Sequence, residues 1–157
     1  MSGLTLDEVE AIAREAHAHE VDVTGRPYLE HVQAVVDGVR ERGGSNEQIA
    51  AAWLHDTLEN DVLTRDWLDS AELPQPVKDL VDAMTKRPGE SEESYSRRIL
   101  TTKGALLIKD ADLAHNADPN RLALLDERTR NELSDKYTAL RQMLGLTAAA
   151  NAHGASL

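Results

Sequence analysis

The stretch AAWLHDTLEN, residues 51–60, decides how this chain is read. Its front half, Ala51 to Leu54, looks like a helix of apolar side chains entering a core. His55 and Asp56 then arrive side by side, and Glu59 follows one turn later. A carboxylate withdrawn from water without a partner costs free energy or shifts its pKa until it neutralises. These groups therefore need a neighbouring cation, a hydrogen-bond network or a metal ion. Read as one continuous helix, His55, Asp56, Glu59 and Asn60 share a contiguous surface.

Helix signals continue on both sides. Ser45 to Gln48 forms a capping box that opens the helix just quoted, and Thr5 to Glu8 forms another, followed by Leu6, Val9, Ile12 and Ala16 at helical spacing. Pro27 suits a helix start; Leu29, Val32, Val36 and Val39 follow as a stripe that Gly43 and Gly44 stop. Thr64 caps a short helix with Trp67 and Leu68, and Val77, Leu80, Val81 and Met84 form the next stripe. Ser91 caps a helix with Glu92 and Glu93 in its first turn. Another runs from Ala105 to the boundary at Pro119. A last one carries Leu133, Tyr137, Leu140 and Leu144 and ends at Gly145. The expectation is an all-α fold, a single compact helical bundle of about seven or eight helices over residues 1–145. Residues 146–157 are expected to be a flexible tail.

Composition agrees. Phe is absent and aromatics make up 3%, so the core must be Leu, Val, Ile and Ala, which favours packed helices over a sandwich. A net charge of −11 argues against a nucleic-acid polymer or an anionic membrane as partner, and leaves room for a small anion held by local Lys and Arg. With no Cys, thiolate chemistry and disulfides are excluded. No apolar run approaches the ~20 residues of a membrane span, and the acidic start lacks a signal-peptide layout. The expected location is the cytoplasm.

A second polar cluster lies in the helix from Ala105, where Asp112 has Ile108 at i−4, His115 at i+3 and Asn116 at i+4. His31 sits at the margin of another buried face. Adjacent His and Asp on a helix point about 100° apart, so one ion can take both only from the wedge between them, with other helices supplying the remaining ligands. His31 and Asp112 are the natural candidates. Two imidazoles and two carboxylates without thiolate suit Mn²⁺, Fe²⁺, Zn²⁺ and similar ions. Such an ion activates water and polarises phosphoryl oxygens, and Glu59 is near enough to orient or deprotonate that water. Each residue alone has a plainer reading, as a structural pair, a surface carboxylate or a hydrogen-bonded imidazole. The order of the set is what favours a metal.

The segments GRPYLEH, AAWLHDTLEN, LVDAMTKRPGE and IKDADLAHNAD resemble the HD superfamily of metal-dependent phosphohydrolases, and within it the hydrolase domain of RelA/SpoT-type enzymes and their small stand-alone relatives. The resemblance implies an all-helical HD domain, one divalent ion (Mn²⁺ first, with Fe²⁺, Zn²⁺, Co²⁺ or Ni²⁺ as options) and removal of the 3′-pyrophosphate from guanosine tetra- or pentaphosphate. It makes His31, His55, Asp56 and Asp112 the metal ligands and Glu59 the acid beside the attacking water. Asn60 stands where the family has a second acid. Asn116 matches an asparagine on the nucleotide side, and Thr85 and Lys86 match a Thr-Lys pair after the middle helix. Asp22 and Val23 replace a basic pair that helps hold guanine nucleotides, and Leu113 replaces an Arg.

Lys109 is the first candidate for a phosphate contact, with Arg26, Lys86, Arg87, Arg97, Arg98 and Arg121 as others. His115 is either a partner behind Asp112 or a phosphate contact. Arg97 and Arg98 are expected to form a solvated face paired with Glu92 and Glu93. Tyr28 belongs either to the core or under a base. The expected function is a metal-dependent nucleotide phosphohydrolase. The alternatives are a 5′-nucleotidase or phosphodiesterase of the same superfamily, or a catalytically weakened metal- and nucleotide-binding sensor. The expected partner is a small anionic nucleotide or phosphate ester, and a homo-oligomer stays open.

Overall fold

The structure, a computed structural model, describes residues 3–146. Among these residues the chain forms α1 (Leu6–Ala16), α2 (Tyr28–Glu41), α3 (Asn46–Leu54), α4 (Arg65–Ser70), α5 (Gln75–Met84), α6 (Glu92–Thr101), α7 (Ala105–Asn116), α8 (Pro119–Leu122) and α9 (Glu127–Met143). The described residues contain no strand, only an isolated antiparallel bridge between Val21 and Pro27. The element beyond the expected set is α8, a single turn that Asp118 caps by accepting from the Asn120 N–H. The expected tail lies outside the described residues apart from Leu146. No helix among the described residues is long and apolar enough to cross a membrane.

The caps read from the sequence form as expected. Thr5 and Glu8 bond each other's backbone N–H groups, as do Ser45 and Gln48, while Thr64 and Ser91 cap α4 and α6. Asp126, not foreseen, caps α9. Each such cap satisfies donors that the first turn of a helix leaves orphaned, worth about 1 kcal/mol. Gln48 reaches further, donating from Nε2 to Gly104 O at 3.0 Å. Gly104 has φ +88°, which a side chain would strain, so the start of α7 is held against the start of α3.

At the centre, Val32, Val35, Val36 and Val39 of α2, Ala51, Ala52 and Leu54 of α3, and Ile108 and Leu113 of α7 are fully buried. The α2–α7 crossing is built on small residues. A Cβ added to Gly38 would stand 3.1 Å from the Ala111 Cβ, so the two backbones approach as closely as a glycine–alanine contact permits. This approach brings His31 of α2 to Asp112 of α7. Arg42 and Arg141 then hold opposite oxygens of Asp110 at 3.1 and 3.0 Å, joining the C-terminal ends of α2 and α9 to α7.

One expectation changes in form. α3 ends at Leu54, and residues 55–60 are a turn rather than a continued helix. The His55 and Thr57 N–H groups turn to the carbonyls three residues back, Ala52 O at 3.5 Å and Leu54 O at 3.1 Å, and the Thr57 hydroxyl also donates to Leu54 O at 2.8 Å. This tightening is a common way for a helix to end. His55, Asp56, Glu59 and Asn60 therefore do not share one α-helical surface.

Gly38→Val gains less than about 1 kcal/mol of helix propensity but forces α2 away from α7. It should destabilise the fold by a net ~1–2 kcal/mol, seen as a lower urea midpoint at unchanged m-value.

Candidate metal centre

Four side chains from three places in the chain meet at one point. A nitrogen of His31, a nitrogen of His55 and one carboxylate oxygen each of Asp56 and Asp112 all lie within 4.8 Å of one another. His31 Nε2 stands 2.9 Å from Asp112 Oδ1 and 3.8 Å from Asp56 Oδ2. His55 Nε2 stands 3.1 Å from Asp56 Oδ2 and 3.4 Å from Asp112 Oδ1. Both histidines and Asp112 are buried, while Asp56 is partly open to the cleft beside them.

The surroundings turn these atoms inward. The Ala52 carbonyl accepts from His55 Nδ1 at 2.7 Å, which places the proton on Nδ1 and aims the Nε2 lone pair at the centre. There Nε2 is buried without a hydrogen-bond partner. With Nε2 of His31 presented in the same way, its Nδ1–H donates to His115 Nδ1 at 2.7 Å. Burial is the first cause that holds the His115 imidazole down, at about 4, so it is neutral and able to accept. The Tyr28 hydroxyl donates to Asp56 Oδ2, and the Tyr28 ring lies between those of His17 and His31, with centroids 5.0 and 5.5 Å away. Lys109 donates to the outer oxygen of Asp112 at 3.0 Å, and Asn116 lies 3.4 Å from the inner one.

The electrostatics describe a place that wants positive charge. Burial lowers the His55 imidazole, yet the two carboxylates outweigh burial and raise it well above its ordinary range. Burial raises both carboxylates, but the facing cations win: Asp56 falls to about 2 under His55, and Asp112 falls well below the usual range under Lys109 and the two imidazoles. Two lone pairs and two carboxylate oxygens converging at this spacing, one nitrogen left orphaned, fit a divalent cation with mixed nitrogen and oxygen ligands. Neighbours that fix ligand orientation are the usual support of such a site.

A cleft of about 200 Å³ opens beside the centre. Glu59, Asn60, Lys86, Lys109 and Asn116, all anticipated from sequence, line it. Glu59 accepts from the Lys86 N–H at 3.0 Å. Partial withdrawal from water raises its carboxyl, the Lys86 N–H lowers it, and the charges of Asp56 and Asp112 raise it further.

Four of the expected substrate contacts stand elsewhere. The Thr85 hydroxyl is turned back onto Val81 O at 2.7 Å, Arg87 is exposed 3.5 Å from Asp82, and Arg26, paired with Glu30 at 2.6 Å, lies with His115 on an adjoining groove. Arg121 does line the cleft, 3.3 Å from Asp22. Nor do Arg97 and Arg98 form a solvated pair with Glu92 and Glu93. Arg98 is largely buried against Glu90, and Glu92 holds Lys86 at 2.7 Å.

The cleft also has a wall that sequence reading missed: Glu92 and Tyr95 of α6, and Lys136, Tyr137 and Leu140 of α9. A signal was available. The chain has three tyrosines and no Phe, and Tyr28, Tyr95 and Tyr137 all line this cleft. Where aromatics are this scarce, a hydroxyl-bearing ring marks a place that is both apolar and polar.

A sequence profile described as the HD domain matches residues 10–152. Among curated proteins, the chain is 30% identical to a guanosine-3′,5′-bis(diphosphate) 3′-pyrophosphohydrolase of Haemophilus influenzae over 86% of its own length and 22% of that protein. It is 32% identical to a probable GTP pyrophosphokinase of Mycobacterium leprae, covering 86% of the chain and 18% of that protein. It is 28% identical to the bifunctional (p)ppGpp synthase/hydrolase SpoT of Escherichia coli, covering 86% and 21%. The chain thus spans about a fifth of the length of these relatives.

Two outcomes are expected at the centre. His55→Ala should abolish Mn²⁺ binding in calorimetry while circular dichroism keeps its helical signal, because the helices pack through Val, Leu and Ala rather than through the ion. Tyr28→Phe should retain the site but weaken Mn²⁺ by about 10–100-fold, the usual cost of losing a group that orients a ligand.

Proposed function

Because the chain belongs to the HD domain family, we propose that it is a metal-dependent phosphohydrolase acting on a nucleotide. Its first substrate is guanosine 3′,5′-bis(diphosphate), and the 3′-pyrophosphate is what it removes. The observation that carries this reading is the convergence of His31, His55, Asp56 and Asp112 beside the cleft. The names of its relatives support the choice of nucleotide.

His31, His55, Asp56 and Asp112 would hold a divalent ion (Mn²⁺ ahead of Fe²⁺, Zn²⁺, Co²⁺ and Ni²⁺), which would lower the pKa of a bound water and polarise a phosphoryl oxygen. The remaining work falls to the protein. The oxygen of water bonds to the phosphorus carried by the 3′ oxygen, and that phosphorus–oxygen bond breaks. Glu59, at the cleft beside the four ligands, takes the proton of the attacking water and returns one to the departing 3′ oxygen. Lys109, fixed by Asp112 and lying 5.0 Å over the Tyr95 ring, faces the charge that builds on the phosphoryl group. Lys86 and Lys136 stand along the same cleft, and the Asn116 amide offers a hydrogen bond to the nucleotide. At about 200 Å³ the cleft is smaller than the ~300–1,000 Å³ of pockets that enclose a drug-sized ligand. It therefore houses the reacting phosphates, and the nucleoside lies along the open mouth between Val23, Tyr137 and Lys136. We place the reaction in the cytoplasm.

Protein stripped of metal and resupplied with Mn²⁺ should release pyrophosphate and leave GDP. Silence across a panel of guanosine and other nucleotides would end the hydrolase reading. Orthophosphate released from a monoester would move the chain to the 5′-nucleotidase branch. Asn60 gives one specific ground for a second reading, a sensor that binds but turns over slowly. In that case Asn60→Asp creates turnover that the unaltered protein lacks, and a fully active unaltered protein rejects it.

A further inference from the structure

Glu59 is held by a backbone group, and what holds that group is the question. The Lys86 N–H belongs to the loop 85–90 between α5 and α6. Arg87, Pro88 and Gly89 are exposed, and Gly89 has φ +75°. A polar loop with so little buried surface opens cheaply on its own.

A charged side chain from α6 closes it. Arg98 donates through Nη2 to Thr85 O at 2.8 Å and to Glu90 Oε1 at 3.0 Å, and through Nη1 to Glu90 Oε2. One guanidinium thus ties the first residue of the loop to the last. Glu90 also accepts from the Arg87 N–H at 3.0 Å and from the Ser94 hydroxyl at 2.8 Å. The Arg98 and Glu90 side chains are only 16% and 8% exposed. A desolvated pair is weak evidence for stability, since apolar side chains of similar size often serve as well or better. What it supplies is a fixed geometry, because the planar fork addresses two acceptors at once. The other tether, Lys86 Nζ to Glu92, has side chains 30% and 31% exposed and belongs to the class of ion pairs worth little.

On the reading of Glu59 as the proton-transfer group, we infer that Arg98 and Glu90 are positioning residues: they clamp the 85–90 loop at both ends so that the Lys86 N–H holds Glu59 at the mouth of the cleft. Neither touches the cluster of His31, His55, Asp56 and Asp112, and neither lines the cleft beside it.

The test combines kinetics on the Mn²⁺-loaded protein with amide exchange. Arg98→Met should lower kcat by about tenfold, a modest case of the loss a misplaced group causes, and more than it raises KM through Lys86, while Mn²⁺ stoichiometry holds. In a Glu59→Gln background the same change should cost nothing further. Arg98→Lys, which keeps the charge but loses the fork, should fall between. Arg98→Met with Glu90→Met removes both charges, so no unpaired ion is left buried, and it should reproduce the loss in a folded protein. Exchange at the Lys86 amide should quicken about tenfold or more, while Val81 and Met84 in α5 stay protected. Equal losses with and without the Glu59 carboxyl, or unchanged Lys86 exchange, would overturn the clamp. If the unaltered protein turns over no nucleotide, the hydrolase reading falls separately. The clamp then stands or falls on Lys86 exchange alone.

Discussion

Mutual repulsion among electron-rich atoms sets the terms for this molecule. The His55 Nε2 lone pair, the inner nitrogen of His31 and carboxylate oxygens of Asp56 and Asp112 face one another where water scarcely enters. Such a cluster is tolerable only with positive charge inside or against it. The fold supplies part of that charge from outside, through Lys109 on the outer oxygen of Asp112, and aims Asp56 with the Tyr28 hydroxyl. The rest must come from protons on the imidazoles or from a cation between the four groups. Much of the neighbouring architecture follows from keeping these atoms aimed at one another.

His55 and Asp56 follow the end of α3, and the Ala52 carbonyl and the Tyr28 hydroxyl aim their side chains. The close α2–α7 crossing at Gly38 and Ala111 brings His31 and Asp112 into direct contact. Larger side chains there would give a sound pair of helices and a poorer cluster.

Most of the helices were legible because their starts and stops are local chemistry. Thr5, Ser45, Thr64 and Ser91 each bond a nearby N–H, and that pattern is written in consecutive residues. The four-residue cluster was legible for a different reason, since two imidazoles and two carboxylates on apolar elements have few other uses. The break after Leu54 was not legible: the stretch that follows reads equally well as helix, and the turn is decided by how Thr57 and the backbone share the Leu54 carbonyl. The burial of Arg98 was hidden in the same way. Its place in a charged stretch after Glu92 and Glu93 suggests a solvated face, whereas its partner Glu90 lies before the helix, in a loop whose path no local rule specifies. The contributions of α6 and α9 to the cleft depend on tertiary packing and carry no signal in spacing.

The division of aromatic residues has a spectroscopic consequence. Tyr28, Tyr95 and Tyr137 all line the cleft, while Trp53 is buried in the scaffold beneath the Arg14 guanidinium and Trp67 packs on the core from α4. Ultraviolet absorbance and emission in this chain are therefore sorted by place. Phenol bands sense whatever enters the cleft, indole bands follow the integrity of the frame, and both can be followed in one cuvette without an added label.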